Sequence, residues 1–160
     1  MNILVSDVKN TEPFLRNNQE KVTVISDNGK IDPCLCCFGC WIKTPGKCVL
    51  NDEYNNMGEL LSQCNRMIII SKCIYGGYSP FVKNVLDRSI SYLLPYFLKK
   101  DGVTCHPKRY DNSVTLIVHF YGEIPDTEKE TARELVKING SNMFEKTEIH
   151  FYKTIDEIRI

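Results

Sequence analysis

The sequence predicts an α/β domain built on a mostly parallel sheet, and two observations carry that expectation. Short apolar, β-branched runs alternate along the chain with helix-like runs, the pattern of a sheet with crossover helices. Two of the runs, Met67-Ile68-Ile69-Ile70 and Leu116-Ile117-Val118, are continuously apolar. Strands buried on both faces read this way, as in a parallel sheet covered by helices.

The strands are expected at Asn2 to Ser6, Lys21 to Ser26, Arg66 to Ser71, Val114 to Phe120 and Thr147 to Tyr152. Between the third strand and its predecessor, Tyr54, Met57, Leu60, Leu61 and Cys64 recur at three- and four-residue steps, which predicts a helix over Asp52 to Asn65. Ser79-Pro80 reads as an N-cap with proline in the first turn, followed by an apolar face of Val82, Val85, Leu86 and Leu93. Thr127 to Glu130 matches a capping box before Ala132, Leu135 and Val136. Only about fourteen residues separate the first two strands, near the lower limit for a parallel crossover, so the first helix has two turns at most or is missing. Residues 95 to 113 form a long polar insertion of the sort that serves function or an oligomer interface.

The chain has 160 residues, 42% hydrophobic and 25% charged, which is ordinary globular usage for one domain spanning residues 1 to 160. Twenty basic and twenty acidic residues give no net charge, so neither nucleic acid nor an anionic membrane is an expected partner. MNILVSDVKN carries no basic flank or long apolar segment, so a cytoplasmic domain without a signal peptide is expected.

Eight cysteines depart from this plain picture, because five of them fall within residues 34 to 48. Cys34, Cys37, Cys40 and Cys48 read C-x2-C-x2-C-x7-C, with Cys36 as a fifth thiol. Closely spaced thiolates of this kind hold a [4Fe–4S] cluster, four of them take Zn²⁺, and each C-x-x-C pair suits a reversible dithiol. Packing alone is the plain alternative. A second signal follows the third strand, where Ser71 to Arg88 reads SKCIYGGYSPFVKNVLDR. Ligands of open parallel sheets bind beyond the carboxyl ends of the strands. There the Gly76-Gly77 turn allows close backbone approach, and Tyr75 and Tyr78 offer stacking faces, a setting suited to the edge of a flavin ring. A glycine turn with two packed tyrosines is the alternative.

These residues together resemble a known family. The stretch CFGCWIKTPGKC, the acidic helix start at Asn51-Asp52 and YGGYSPFVKNVLDR look like the flavodoxin-like NAD(P)H-dependent FMN reductases, nearest the branch that includes iron-sulfur flavoproteins. The likeness is good over residues 30 to 95 and loose over the last third. It implies a three-layer flavodoxin-like fold with a five-stranded parallel sheet. It also implies FMN as cofactor, electron transfer from NAD(P)H to a small acceptor, and a homodimer or homotetramer with flavin sites near subunit contacts. By position, Tyr75, Gly76, Gly77 and Tyr78 would surround the flavin ring with Cys73 and Ile74 beside it, and Tyr121-Gly122 would border the same site. Cys34, Cys37, Cys40 and Cys48 match the cluster ligands of the iron-sulfur members. Two departures stand out. The first strand runs into Ser6-Asp7-Val8-Lys9-Asn10-Thr11 without the family's glycine-serine turn, leaving Ser6, Lys9 and Thr11 to meet the phosphate and Asp7 to repel it. Cys73 stands where the family tends to have proline.

A chain that has lost flavin and serves as a metal-binding, thiol-redox or interaction domain is the competing expectation, decided by whether Ser6 to Asn17 presents open backbone N–H groups. Among smaller candidates, His106 lies near Lys108, Arg109 and Tyr110 in the insertion and reads chiefly as a solvated loop residue. Asp87-Arg88 reads as an ion-pairing element rather than an acid/base pair. His119 and His150 read as strand residues, and Trp41 as a shield or core plug.

Overall fold

The computed structural model describes residues 1–16, 21–100 and 102–160. Five parallel strands form the main sheet: β1 (Asn2–Ser6), β2 (Val22–Ser26), β3 (Arg66–Lys72), β6 (Thr115–Tyr121) and β7 (Lys146–Tyr152), in the order β2-β1-β3-β6-β7. All five lie within a residue of their expected bounds. The chain is a flavodoxin-like α/β domain. Strand order reverses between β1 and β3, so the crevice for a ligand lies at the carboxyl ends of those two strands. Registers such as Ser6 beside Ile70, and Lys72 beside Tyr121, bring the ends of β1, β3 and β6 together.

The apolar runs have the reason anticipated for them. Ile3, Val5, Met67, Ile69, Leu116, Val118 and Phe120 face one core, whereas Leu4, Ile68 and Ile70 face another. The first face is covered by α3 (Met57–Ser62), α4 (Pro80–Arg88) and α5 (Asp126–Met143), whose Leu61, Val82, Val85, Ala132 and Val136 are buried in it. The opposite layer is thin. It consists of α1 (Glu12–Leu15), a single turn that buries Phe14, together with the terminal segment carrying Ile155, Ile158 and Ile160. The described part of the first crossover holds that turn, and residues 17–20 lie outside the described residues.

Three local expectations are corrected. The helix expected over Asp52 to Asn65 shrinks to α3, because the Asp52 carboxylate accepts from the Tyr54 N–H at 3.0 Å and folds residues 52 to 56 as turns. The capping box at Thr127 does not form, since α5 begins at Asp126 behind Pro125 and the Thr127 carbonyl accepts from Thr131 Oγ1. Ser79 does precede α4, but its hydroxyl makes no capping bond, and Leu93 lies beyond the helix end. The insertion, apart from residue 101, forms the hairpin of β4 (Leu98–Lys100) and β5 (Val103–Cys105). It then returns to the core, where Asn112 Nδ2 donates to the carbonyls of Leu61 and Cys64.

Candidate functional site

Most of the candidate residues lie in two loops, and both contain strained backbone. The three non-glycine residues with left-handed φ among the described residues are Cys36 (50°), Phe38 (54°) and Tyr75 (52°). Such conformations persist only where the surroundings enforce them, and they concentrate at functional sites. Sequence alone gave no sign of this strain.

After β3 the chain folds into a two-residue turn. Ile74 and Gly77 exchange backbone hydrogen bonds at 3.0 and 2.8 Å, and Tyr75 and Gly76 both take positive φ, the geometry of a tight hairpin. Gly76 is obligatory, because a Cβ there would lie 2.7 Å from the Thr131 Cβ and 2.9 Å from the Glu128 carbonyl. Its N–H donates to Glu128 Oε2 at 3.1 Å, fixing the turn to α5. Tyr75 is thereby thrust outward, 88% exposed. Cys73 is tied to β6 through its N–H to the Tyr121 carbonyl, and Gly122 (φ 122°) follows beside it. Tyr78 goes the other way. Its ring packs on Phe120 at 5.3 Å and its hydroxyl accepts from Asn139, so it lies in the core instead of facing a ring beside Tyr75. Burial pushes its phenol up to about 12.

The end of β1 differs from a phosphate cradle. Asp7 turns its carboxylate across the crevice, where Oδ2 accepts from the Lys72 N–H at 2.8 Å and Oδ1 from the Tyr121 hydroxyl at 3.1 Å. Burial, then the Asp7 charge, holds the Tyr121 phenol above its ordinary range. The Val8 N–H donates to Ser6 Oγ, the Glu12 N–H to Asn10 Oδ1, and the Phe14 N–H to the Thr11 carbonyl. The N–H groups of Val8, Glu12 and Phe14 are thus spent within the chain, and the Asp7 carboxylate sits beside them. Ser6 is fully buried, Thr11 nearly so, and Lys9 is exposed. With the Asp7 carboxylate at the end of β1, the residues beyond β1 do not fit the phosphate of FMN.

The cysteine stretch forms the second loop. The left-handed residues Cys36 and Phe38 reverse the chain, so that Cys34, Cys36, Cys37, Cys40 and Cys48 all line one cavity of about 230 Å³. Cys40 is carried by the one-turn helix α2 (Gly39–Ile42), and Trp41 pins that turn to the Ile90 carbonyl through its indole N–H at 3.0 Å. Trp41 also stacks between Phe38 and His106, so the His106 ring is held against aromatic neighbours. Burial raises the thiol pKa of Cys34, and burial followed by the charges of Cys48, Cys34 and Cys37 raises that of Cys40. Among the described residues, no group of three or more His, Cys, Asp or Glu side chains converges on a point that could hold a single metal ion.

A buried ion pair clamps this loop to α4. Arg88, whose side chain is fully buried, donates to both Asp52 oxygens at 2.7 and 2.8 Å and to the Asp32 carbonyl at 2.9 Å. Both ends of the cysteine segment are therefore held by one guanidinium. Asp87 pairs with Lys83 one turn earlier, so each member of Asp87-Arg88 stands in an ion pair of its own. His119 is also structural, with Nδ1 3.1 Å from the Tyr152 hydroxyl and its ring stacked on His150. A further cavity of about 590 Å³, which the sequence did not signal, lies between α4 and α5. It touches Gly77 and Tyr78 on one side and shares Lys83, Asp87 and Ile90 with the thiol cavity on the other.

Fold and loops together define a flavodoxin-like domain with a tight, strained turn beyond its central strand and a thiol-lined cavity across α4. No family model matches the chain, and no curated protein matches it. Among solved structures it is similar to an FMN-dependent NADH-azoreductase from Bacillus anthracis str. Ames Ancestor in complex with FMN. The TM-score is 0.52 at 12% identity, over 94% of this chain and 85% of that one, a likeness of fold. No helix among the described residues is long and apolar enough to cross a membrane.

Proposed function

We propose that this chain is an oxidoreductase domain that moves electrons from NADH or NADPH to a small acceptor, with a flavin ring seated on the Cys73–Gly77 turn. The observation that carries this reading is the turn itself. It lies at the carboxyl end of the central strand beside the reversal of strand order, and its strained backbone holds an aromatic face, Tyr75, out toward solvent. A fold shared with an FMN-dependent NADH-azoreductase supports it. In this reading Tyr75 stacks on the ring, Gly76 keeps the backbone close, and Tyr121 and Gly122 bound the far side. The cavity between α4 and α5 gives a small acceptor room beside the turn. The neutral charge accords with a chain acting without nucleic acid or membrane, and a cytoplasmic homodimer or homotetramer belongs to the same reading.

The thiol cavity favours a second reading. Cys34, Cys37, Cys40 and Cys48 along one open cavity are the candidates for a [4Fe–4S] cluster or a thiol-redox centre, which would make the chain a metal or thiol electron carrier with or without flavin. Protein purified without oxygen separates the two. Catalysed NADH or NADPH oxidation that requires added flavin supports the first reading; iron and acid-labile sulfide in cluster proportion support the second. Protein that neither binds flavin nor oxidises nicotinamide contradicts the first.

A further inference from the structure

Resting on the flavin reading, we propose that Asp7 is a built-in substitute for the ligand's phosphate, so that the crevice selects a flavin without one, such as riboflavin, over FMN. Three observations combine. Asp7 stands where strand order reverses, the place where an anionic group would meet the ends of β1 and β3. Its two carboxylate oxygens take the Lys72 N–H and the Tyr121 hydroxyl, which come from the neighbouring strands β3 and β6. The loop that follows is closed on itself through Ser6 Oγ and Asn10 Oδ1, and its single-turn helix starts with an acidic residue, Glu12.

The consequence is a fixed negative charge with its hydrogen bonds already made. A phosphate entering there meets a like charge whose neighbouring donors, the Lys72 N–H and the Tyr121 hydroxyl, are already taken, and the repulsion falls on the phosphorylated ligand alone. A neutral ribityl chain suffers no such repulsion, and its hydroxyls can donate to the same carboxylate. Asp7 therefore acts on the choice of ligand, while the turn at Tyr75 acts on the ring common to both ligands.

The test is a titration of the whole chain with riboflavin and with FMN, followed by quenching of flavin fluorescence, on the natural protein, Asp7→Asn and Asp7→Ser. The natural protein should bind riboflavin about tenfold or more tighter than FMN, and both variants should narrow that ratio to about threefold or less by gaining affinity for FMN. Equal or tighter FMN binding by the natural protein overturns the proposal, as does a ratio that neither variant changes. If no form binds either flavin, the flavin reading itself falls. Inorganic phosphate then decides the role of Asp7: an upward shift of the melting temperature in the variants but not in the natural protein supports it, and no shift in any form refutes it.

Discussion

Replacing Asp52 with asparagine should reduce stability more than most single changes in this chain. Arg88 is fully buried and Asp52 nearly so, and between them run two charge-assisted bonds of 2.7 and 2.8 Å. Asp52 also accepts from the backbone of Tyr54 and of Asp32. The amide keeps the shape of the carboxylate but leaves a buried guanidinium uncompensated, a loss of about 3–5 kcal/mol. For a domain of this size that corresponds to a fall in melting temperature of roughly 10 °C or more. Removing both charges with Asp52→Asn and Arg88→Met together should cost much less, about 1–2 kcal/mol, because no charge is then stranded. The pH dependence has a definite sign. The Arg88 bonds hold the Asp52 carboxyl below its ordinary 3.8, so the pair contributes fully above that pH and is lost as pH falls through the lower folded value. Urea unfolding of the three proteins at pH 7 and toward pH 3 measures this. Thiol labelling should also speed up at Cys34 and Cys40 in the single variant, because the clamp holds the segment between Asp32 and Asp52. A loss below about 1 kcal/mol, or a double variant as damaged as the single one, refutes the reasoning.

Other outcomes follow from the same geometry. Gly76→Ala combines positive φ with a 2.7 Å clash against Thr131, and should lower stability by about 2 kcal/mol or more in thermal unfolding. Tyr75→Asn relieves a left-handed tyrosine in a tight turn, and should raise stability by up to about 1 kcal/mol while weakening flavin binding severalfold. His119 is buried and, chiefly through that burial and then the His150 charge, its pKa falls to about 4. The unfolded chain therefore takes up this proton first as pH drops below about 6.5, and up to about 3 kcal/mol is lost between there and pH 4. His119→Gln, which retains a polar partner for Tyr152, should flatten that slope in pH-resolved urea unfolding.

Much of the architecture was legible because it depends on local pattern. Short apolar, β-branched runs gave the five strands and the Ser79-Pro80 start gave α4, since strand burial, on both faces for β3 and partly so for β6, and proline geometry leave direct marks in sequence. The cysteines were expected to hold a centre together; all five line one cavity, but among the described residues no three His, Cys, Asp or Glu side chains come together as a metal ion would need. What escaped depends on contacts between distant residues or on competition for one group. Asp7 was expected to repel a phosphate, but its bond to Tyr121, 114 residues away, leaves no trace in spacing. Asp52 looked like a helix residue, whereas Arg88 and the Tyr54 N–H claim its carboxylate for a loop. Tyr78 looked equivalent to Tyr75 across a glycine pair, yet the turn sends one to solvent and the other onto Phe120.

The central claim is that the turn beyond β3 seats a redox-active flavin ring. Its most direct test is the visible spectrum of the oxygen-free protein during titration with riboflavin, repeated on Tyr75→Asn, with NADH then added. A perturbed flavin band that saturates, weakens in the variant and bleaches with NADH only when protein is present is the predicted result. An unperturbed flavin spectrum, with NADH reducing flavin no faster than in buffer, would contradict the account.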